Sequence, residues 1–486
     1  MKITMPTSTT TKPTSKKITT QPSIKFGTDG WRGVIAEDFT FANIEKVAQA
    51  TAEYFSTHPK ILNGIVVGYD ARFLSKEFAE RSAIVLASNG IKVKLADKIS
   101  STPMVSLLTK NLETAGGIVI TASHNPAKYN GFKIKGEFGG PAHPEMIAEV
   151  EKNLAPILKK SKLETRNLKP LQVFLEQKLI EYIDMSHLYI DDIARKLDVG
   201  RIADSGIKIL HDAMYGAGMH ILNKIVPATE IHATFNPSFG GTHPEPTENN
   251  LSELSKKIVK EHFHIGIATD GDADRVGAMD EQGNFVDSHK IFSLLLKYFV
   301  EEKKWSGEVV KSLSVTNMVD KQCEKYKLKL HTTAVGFKHI CKMMTERDVL
   351  IGGEESGGLA VKGHLPERDG VYVGLLLAEI MVKRQKKLHE LVQELENEFG
   401  AHCYKRIDAH VTEEEKKSIL ERCERKPKFI GDEKVEMIET VDGYKFHISN
   451  GWVLVRASGT EPLIRFYAEA DSSERVEKLL NAIRGK

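Results

Sequence analysis

Short apolar runs alternate with amphipathic stretches along most of the 486 residues of the chain. The runs at 64–69, 117–120 and 265–269 are mostly aliphatic residues and glycine, a pattern typical of strands that are buried on both faces. Residues 76–89 instead place apolar side chains on one helical face and end at Asn-Gly, which commonly stops a helix. Strands that alternate with helices in this way predict a mostly parallel α/β layer.

The pattern divides the chain into a tail and four structural units. The tail is rich in Thr, Ser and Lys and contains no acidic residue, which predicts a disordered segment. The last unit differs from the others: a hairpin signal at Asp442 and Gly443 joins short strands, and this indicates an α+β domain. In the second unit a helix is predicted over 171–188. The predicted limits are 1–24 for the tail, 25–165, 166–284 and 285–398 for three α/β units, and 399–486 for the α+β unit.

Composition excludes several classes of protein. With 68 Lys and Arg against 66 Asp and Glu, the net charge of +2 gives no strong field for nucleic acid or for an anionic membrane. The longest apolar stretch, at 371–382, contains Glu379 and is too short to span a bilayer. The 4 cysteines are widely separated and form no C-x-x-C motif, so reduced thiols in the cytoplasm are expected.

The motif TASHNP, which follows the apolar run at 117–120, displays a hydroxyl group. A buried strand that ends near Ser123, with Asn-Pro behind it, places this side chain on a sharp loop with rigid support, as a nucleophile requires. His124 and Lys133 are near enough in sequence to move protons or to hold anions. Each of the three could equally be an ordinary turn or surface residue, so the motif alone leaves the function open.

Three carboxylates alternate with Gly and Ala directly after another apolar run, in the motif DGDADR. Asp270, Asp272 and Asp274 would repel one another at this spacing unless a cation lay among them, and oxygen ligands favour Mg²⁺ or Ca²⁺. Glu281 at the twelfth position partly matches an EF-hand, but Arg275 stands where that loop needs Gly, and strands flank the motif. A solvated acidic turn is the remaining alternative.

Two further loops carry groups that suit sugars and phosphates. The motif GEESGG, which begins at Gly353, offers carboxylates and a hydroxyl that can hydrogen-bond vicinal sugar hydroxyls. RASGT, which begins at Arg456, combines a guanidinium, two hydroxyls and an accessible glycine amide, a set that favours phosphate. Near the N-terminus, the glycine-rich motif FGTDGWRG presents Arg32 on a loop. Each signal is modest alone, but their combination in one chain is specific.

TASHNP, DGDADR, GEESGG and RASGTEP occur in this order, and from about residue 24 to the C-terminus the chain resembles the α-D-phosphohexomutase family. The resemblance implies an α/β protein with four domains around a central cleft, of which three are similar mixed-sheet α/β domains and the C-terminal one is α+β. Each domain would donate one loop to the cleft. The partners implied are small-molecule hexose phosphates, with no nucleic acid or membrane, and the assembly is either a monomer or a homodimer.

The resemblance also implies roles for residues of these loops. Ser123 would be the phosphorylated nucleophile, with Lys133 as the acid/base beside it and His124 as a further catalytic candidate. Arg32 and Arg275 would surround the phosphoryl group that is transferred. The implied ligands of one Mg²⁺ per chain are Ser123, Asp270, Asp272 and Asp274. The residues implied to bind the substrate are Arg275, Lys338, Glu354, Ser356, Arg368, Arg456, Ser458, Gly459 and Thr460.

The implied reaction is a double phosphoryl transfer. Phospho-Ser123 gives its phosphoryl group to O6 of a hexose 1-phosphate, the 1,6-bisphosphate turns end for end, and the 1-phosphate returns to Ser123. Burial beside cations would ease the loss of a proton from Lys133, and glucose 1,6-bisphosphate is the expected activator. The double Glu of GEESGG resembles glucose-directed members. Phosphoglucomutase is therefore the expected activity, then dual phosphomannomutase/phosphoglucomutase activity, then phosphoglucosamine mutase.

One departure from the family pattern leaves the second acid/base open. Gly358 stands where bacterial phosphomannomutase/phosphoglucomutase enzymes carry His. Arg368, His124 and His364 are the candidates for its role, although an Arg is a poor proton carrier. Two alternatives come from other classes. A phosphatase that uses the aspartates directly would need an aspartyl nucleophile with a Thr or Val two positions after a second Asp, and DGDADR lacks this pattern. A non-catalytic sugar-phosphate-binding protein would not need Ser123.

Overall fold

The computed structural model describes residues 24–159, 168–457 and 463–485, so almost all of the tail predicted at 1–24 lies outside the described residues. The helices are α1 (Phe41–Phe55), α2 (Ser75–Ser88), α3 (Thr102–Asn111), α4 (Pro144–Lys159), α5 (Leu171–Glu176), α6 (Met185–Lys196), α7 (Val199–Asp204), α8 (Leu222–Ile225), α9 (Ser252–Glu261), α10 (Ser288–Glu301), α11 (Met318–Tyr326), α12 (Phe337–Glu346), α13 (Gly370–Arg384), α14 (Leu388–Phe399), α15 (Glu413–Glu424) and α16 (Ser473–Arg484).

The strands follow the same chain order. They are β1 (Trp31–Val34), β2 (Ile65–Tyr69), β3 (Val93–Ala96), β4 (Gly116–Ile120), β5 (Tyr129–Gly136), β6 (Gly140–Pro141), β7 (Ile180–Ile183), β8 (Ile209–Asp212), β9 (Ala228–Ile231), β10 (Ile265–Thr269), β11 (Val276–Asp280), β12 (Phe285–Val286), β13 (Glu308–Ser312), β14 (Leu330–Thr333), β15 (Val349–Gly353), β16 (Leu359–Val361), β17 (Cys403–His410), β18 (Phe429–Ile430), β19 (Glu433–Lys434), β20 (Met437–Glu439), β21 (Tyr444–Ile448), β22 (Gly451–Ala457) and β23 (Leu463–Ala470).

Three of the sheets contain the same four-strand unit. In each unit the first strand pairs in parallel with the next two strands of the chain, and the third strand pairs antiparallel with the fourth. The spatial orders are β5-β4-β2-β3, β11-β10-β8-β9 and β16-β15-β13-β14. These three mixed sheets confirm the predicted α/β class. The loop between the third and fourth strands therefore occupies the equivalent position in every unit.

Helices pack closely on both faces of these sheets. Successive residues of a strand face opposite sides, and a Cβ at Gly116 would lie 2.4 Å from Phe55 of α1. A Cβ at its neighbour Gly117 would lie 2.5 Å from Thr109 of α3. The last two residues of β15, Gly352 and Gly353, face α12 and α10 in the same way. Glycine at these positions lets the helices lie closer to the strands than any side chain would allow.

The helix predicted over 171–188 is wrong, because α5, β7 and α6 occupy this stretch. Lys178 adopts a φ of +56° just after α5, a left-handed conformation that does not continue a helix. Ile180 is buried opposite Val93, and β7 thereby extends the first sheet in parallel with β3. The first sheet thus takes an edge strand from beyond the limit at 165. The four domain limits predicted from the sequence stay a proposal.

The C-terminal domain is built differently, as the α+β prediction required. Its antiparallel sheet has the order β17-β23-β22-β21-β20. On β22, Val453 and Val455 face a core that includes side chains of α15 and α16, whereas Trp452 and Leu454 pack with Leu313 of the third unit. Each face of the sheet therefore has its own partner, and the second face docks the domain onto the third unit.

Two other sequence expectations concern the whole chain. No helix in the described part of the chain combines the length and the apolar character that a membrane span needs. All four cysteines are unpaired, and Cys323, Cys341 and Cys423 are buried. The expectation of reduced thiols is consistent with this arrangement.

A buried ion pair joins the first and third units. Lys135 on β5 and Glu367, just before α13, are fully buried, and Nζ of the first lies 2.6 Å from Oε2 of the second. Ser106 on α3 donates to the same carboxylate oxygen at 3.0 Å. Removing one partner of such a pair leaves a buried charge without compensation, which is more costly than replacing both partners.

We expect Glu367→Gln to lower the free energy of unfolding by about 3–5 kcal/mol, because Lys135 would lose its close counter-charge and keep only Asp29, at 4.0 Å. The double variant Lys135→Met/Glu367→Leu should be less destabilised, because both charges are removed and apolar groups of similar size take their places. Urea unfolding followed by circular dichroism measures both effects. A single variant as stable as the unchanged protein would contradict a tightly paired charge at this junction.

Candidate active site

Equivalent loops of the three repeated units meet at one place. The loop between β4 and β5 carries Ser123, the loop between β10 and β11 carries the aspartates, and the loop between β15 and β16 carries most of GEESGG. The hydroxyl of Ser123 donates to Oδ2 of Asp270 at 2.8 Å. The amide of Val276 donates to the carbonyl of Gly357 at 3.1 Å. Motifs that are far apart in sequence thus form one site, because each lies in the equivalent loop of its unit.

A buried ion pair shapes the loop that carries Ser123. Arg72 pairs with Asp70 at 3.1 Å and also donates to the carbonyl of Asn125 at 2.6 Å. Asp70 accepts the hydroxyl of Thr121 at 2.6 Å, and Thr121 accepts the amide of Ser123 at 2.8 Å. These contacts hold Ser123 at a φ of +52°, a conformation that costs free energy for a residue with a side chain. Asp70 directly follows the apolar run at 64–69, whereas no sequence signal singled out Arg72.

The three aspartates form a buried cluster that suits a hard cation. Asp270, Asp272 and Asp274 are fully buried, and each offers an oxygen that lies within 4.8 Å of the others. Among the described residues, Oδ1 of Asp272 and Oδ1 of Asp274 have no hydrogen-bond partner. Unsatisfied carboxylate oxygens in a buried, all-oxygen cluster fit Mg²⁺. Burial and the two neighbouring carboxylates raise the pKa of Asp270 well above its ordinary value.

Lys133 lies among carboxylates. Its Nζ contacts Oδ2 of Asp272 at 2.7 Å, Oδ2 of Asp29 at 2.8 Å and Oδ2 of Asp274 at 3.0 Å. Burial would lower the pKa of Lys133, but these three charges outweigh burial and raise the pKa above its ordinary value. The expectation that neighbouring cations ease its loss of a proton is therefore wrong for the site in this state. The contacts with three carboxylates favour the protonated form of Lys133, which is a proton donor.

Arg368 reaches the same cluster from the third unit. Its guanidinium contacts Oδ2 of Asp274 at 2.7 Å and also contacts Asp29. These charges outweigh burial and raise the pKa of Arg368 well above its ordinary value, so it stays charged and is excluded as an acid/base. A Cβ at Gly358 would lie 2.3 Å from Cδ of Arg368. The departure at Gly358 therefore goes together with the stem of Arg368, which fills the space of the missing side chain.

The two histidine candidates for the second acid/base differ in position. Nδ1 of His124 lies 3.5 Å from Oγ of Ser123, and burial together with nearby arginines lowers the pKa of His124 well below its ordinary value. His124 is therefore neutral at pH 7. The ring nitrogens of His364 contact Asp369 at 2.8 Å and Lys196 at 2.9 Å, so both are engaged elsewhere. Of the proposed candidates, His124 is the one that lies beside Ser123.

Two arginines border the loops that carry Ser123 and the aspartates. Arg32 donates a hydrogen bond to the side chain of Asn125. Nε of Arg275 lies 4.0 Å from Oδ2 of Asp270 and 4.0 Å from Oδ1 of Asp274. This buried N–H has no hydrogen-bond partner among the residues that the structure describes. A guanidinium with a free donor beside the aspartates is suited to a phosphate oxygen.

The third loop presents polar groups to a cavity. Oε1 of Glu354 accepts the amide of Gly336 at 2.8 Å, and burial raises the pKa of Glu354 to about 7 although Arg368 opposes the shift. Ser356 lines a cavity of about 390 Å³ that the first strand of the C-terminal domain also borders. Lys338 donates to a backbone carbonyl of the first unit at 3.3 Å. The loop and the cavity have a size and polarity that suit a sugar.

The fourth loop is described only in part. Nε of Arg456 donates to Oδ2 of Asp442 at 2.8 Å, and the same oxygen accepts the amide of Val335 from the third unit at 3.1 Å. Arg456 lies directly across the ladder from Arg465 on β23, a second guanidinium that the sequence reading missed. The other predicted residues of this loop lie outside the described residues, namely Ser458, Gly459 and Thr460.

Comparison with known proteins agrees with this geometry. Models described as phosphoglucomutase/phosphomannomutase α/β/α domains I, II and III match residues 23–160, 187–283 and 287–399, and the model of the C-terminal domain matches 382–486. A phosphoglucosamine mutase from Levilactobacillus brevis is 30% identical over 94% of this chain and 97% of its own. The chain belongs to the α-D-phosphohexomutase family. It is accordingly an isomerase that moves phosphate between positions of a sugar.

Other relatives of this phosphohexomutase differ in the sugar that their names give. A phosphoglucomutase/phosphomannomutase from Thermococcus kodakarensis is 29% identical over 94% of this chain and 96% of its own. The crystal structure of a provisionally described phosphomannomutase from Thermus thermophilus is 33% identical, with a TM-score of 0.83 over 95% of this chain and 98% of that chain. The four-domain fold is therefore shared, and the sugar has to be argued separately.

We expect Asp272→Asn to weaken Mg²⁺ binding by more than about tenfold, because it removes a charged ligand from the only aspartate cluster found in the described residues. Isothermal titration calorimetry measures the affinity, and Mg²⁺ should raise the melting temperature of the unchanged protein but not of the variant. Asp432→Asn, at an exposed acid of the C-terminal domain, is the control. Equal Mg²⁺ affinity in Asp272→Asn would rule out this cluster as the metal site.

Proposed function

We propose that this phosphohexomutase moves a phosphoryl group between C1 and C6 of glucose and of mannose through phospho-Ser123. The observation that carries the proposal is the hydroxyl of Ser123, which is held on Asp270 beside two unsatisfied aspartate oxygens. The sequence favoured glucose alone. Relatives whose names include phosphomannomutase support the broader specificity.

The metal site of the proposal uses the residues predicted from the sequence. Ser123, once phosphorylated, and the three aspartates would hold one Mg²⁺. When bound, the metal supplies positive charge to the transferring phosphoryl group and competes with Lys133 for aspartate oxygens. Glucose 1,6-bisphosphate would serve as the activator, because it can donate the first phosphoryl group to Ser123.

Two proton carriers balance the proposed reaction. The hydroxyl at C6 attacks the phosphorus on Ser123 and gives its proton to Nδ1 of His124, while Lys133 donates a proton to Oγ as the P–Oγ bond breaks. After the bisphosphate turns, Oγ attacks the phosphorus at C1 and returns its proton to Lys133. His124 then gives its proton to the oxygen that leaves the phosphorus. Arg32 and Arg275 donate hydrogen bonds to the phosphoryl oxygens throughout.

The remaining residues of the proposal bind the parts of the substrate that do not react. Glu354 accepts hydrogen bonds from sugar hydroxyls, and Ser356 donates hydrogen bonds to them. Arg456 and Lys338 bind the distant phosphate, together with the loop residues that follow Arg456. Gly358 itself offers the sugar no hydrogen-bonding side chain, and the buried stem of Arg368 lies against it. Fewer polar contacts to the sugar support a site that accepts more than one hexose.

A second candidate substrate is glucosamine 1-phosphate. The loop at 354–358 carries two adjacent acids, Glu354 and Glu355. Their negative charge would attract the ammonium group at C2 of this sugar. The phosphoglucosamine mutase from Levilactobacillus brevis supports this candidate. Because burial raises the pKa of Glu354 to about 7 and thereby favours its neutral form, the attraction is reduced, and glucosamine 1-phosphate ranks second.

With Mg²⁺ and a trace of glucose 1,6-bisphosphate, we expect glucose 1-phosphate and mannose 1-phosphate to react at rates within about tenfold of each other. Ser123→Ala should lower both rates by more than about a thousandfold, because it removes the nucleophile. Ser56→Ala, at an exposed hydroxyl that donates to a carbonyl of α1, is the control. Coupled assays of the 6-phosphate products measure the rates. Fastest turnover of glucosamine 1-phosphate would make the second candidate the function, and no turnover of any sugar would refute the mutase.

A pH dependence follows from Glu354. Its carboxyl group, with a pKa of about 7, loses its proton as the pH rises through neutrality, and a carboxylate accepts a sugar hydroxyl more strongly than a neutral acid does. We expect kcat/KM to rise through this range and Glu354→Gln to flatten the rise. The substrate phosphate titrates nearby, but its contribution is common to both proteins. Identical pH profiles would contradict a role for the ionised form of Glu354.

A further inference from the structure

Two prolines hold Glu245 against the loop of the aspartates. The carbonyl of Pro244 accepts the amide of Gly271 at 3.2 Å, and a Cβ at Gly271 would lie 3.2 Å from the Pro244 ring. On the other side, the carbonyl of Pro246 would lie 2.7 Å from a Cβ at Gly277 on β11. Because both flanking residues have a fixed φ and pack on the same unit, the backbone of Glu245 is held rigidly.

The carboxylate of Glu245 lies between two side chains of the candidate site. Its Oε1 accepts Nη1 of Arg275 at 3.1 Å and lies 4.0 Å from Nε2 of His124. The other ring nitrogen of His124 is the one that lies 3.5 Å from Oγ of Ser123. Glu245 is half-buried, so its pairing with Arg275 is shielded in part from water. No sequence motif assigned it a role.

The contact with Glu245 determines which N–H groups of Arg275 are left to bind a ligand. Nη1 is occupied by Glu245, while Nε has no hydrogen-bond partner in the described part of the chain and lies 4.0 Å from both Asp270 and Asp274. The guanidinium is planar and rigid, so fixing one nitrogen fixes the direction of the others. A donor that is already directed at the place where charge develops loses no free energy to reorganisation during the reaction.

We propose that Glu245 is a positioning residue of the phosphoryl transfer, which holds the guanidinium of Arg275 toward the phosphoryl group on Ser123. The inference rests on the proposed function of Ser123. Glu245 itself does not contact the reacting atoms. Without it, Arg275 could turn toward one of the aspartates, and its free N–H would no longer be available to the phosphoryl oxygens.

The test measures single-turnover transfer from the phosphorylated enzyme to glucose 1-phosphate, together with steady-state kcat and KM. Glu245→Ala should lower the transfer rate by about ten- to a hundredfold, the loss expected for one charge-assisted hydrogen bond, with KM changed by less than about threefold. Glu245→Gln keeps an acceptor oxygen and should recover most of the rate. Glu414→Ala removes an exposed acid on α15, far from the loops of the site, and it should transfer at the unchanged rate.

A double-mutant cycle separates positioning from a general structural effect. If Glu245 acts through Arg275, the variant Glu245→Ala/Arg275→Ala is no slower than Arg275→Ala alone. A further loss in the double variant, or unchanged transfer in Glu245→Ala, overturns the inference while the mutase function stands. Failure of Glu245→Gln to recover the rate also overturns it, because that variant preserves the size and the acceptor. An unchanged enzyme that is inactive on every hexose phosphate overturns the proposed function first.

Discussion

The structure depends on one electrostatic constraint, the burial of three aspartates within 4.8 Å of one another. No single domain balances this charge. Lys133 comes from the first unit and Arg368 from the third, and each contacts Oδ2 of Asp274, at 3.0 Å and 2.7 Å. Asp29 then contacts both of these cations. Because unpaired buried charges are so costly, the packing of the first three units and the assembly of the site are one and the same requirement.

Repetition of one topology explains why the loops converge. In each unit the third strand turns back and pairs with the fourth, so the loop between them lies at the equivalent place in the sheet. In the three units this loop carries different chemistry, with a hydroxyl at Ser123, carboxylates at 270–274, and two acids and a hydroxyl at 354–356. The fourth loop belongs to a different fold, whose sheet reaches the third unit through Trp452 and Leu454. The same topology thus carries different chemical groups of the site in each unit.

The sequence predicted local features well and distant pairings poorly. The apolar run at 265–269 is a strand with those limits, and Ser123 and the aspartates lie together as their motifs suggested. Contacts between residues more than a hundred positions apart could not be predicted. Lys133, for example, contacts carboxylates of another unit, whereas cations were expected beside it. The edge strand at 180–183 was missed because a short, one-sided strand next to a helix has no distinct period. The three similar mixed-sheet domains were predicted from the family resemblance and not from the pattern of residues, since pairing order leaves no trace in composition.

The central claim is that Ser123 carries the phosphoryl group between substrate positions. The most direct measurement is mass spectrometry of the protein after exposure to glucose 1,6-bisphosphate and Mg²⁺, followed by addition of glucose 1-phosphate. The account predicts one phosphoryl group per chain, located on the peptide that contains Ser123, and its loss when the hexose 1-phosphate is added. A phosphoryl group on an aspartate, or one on Ser123 that persists after the sugar phosphate is added, would contradict it.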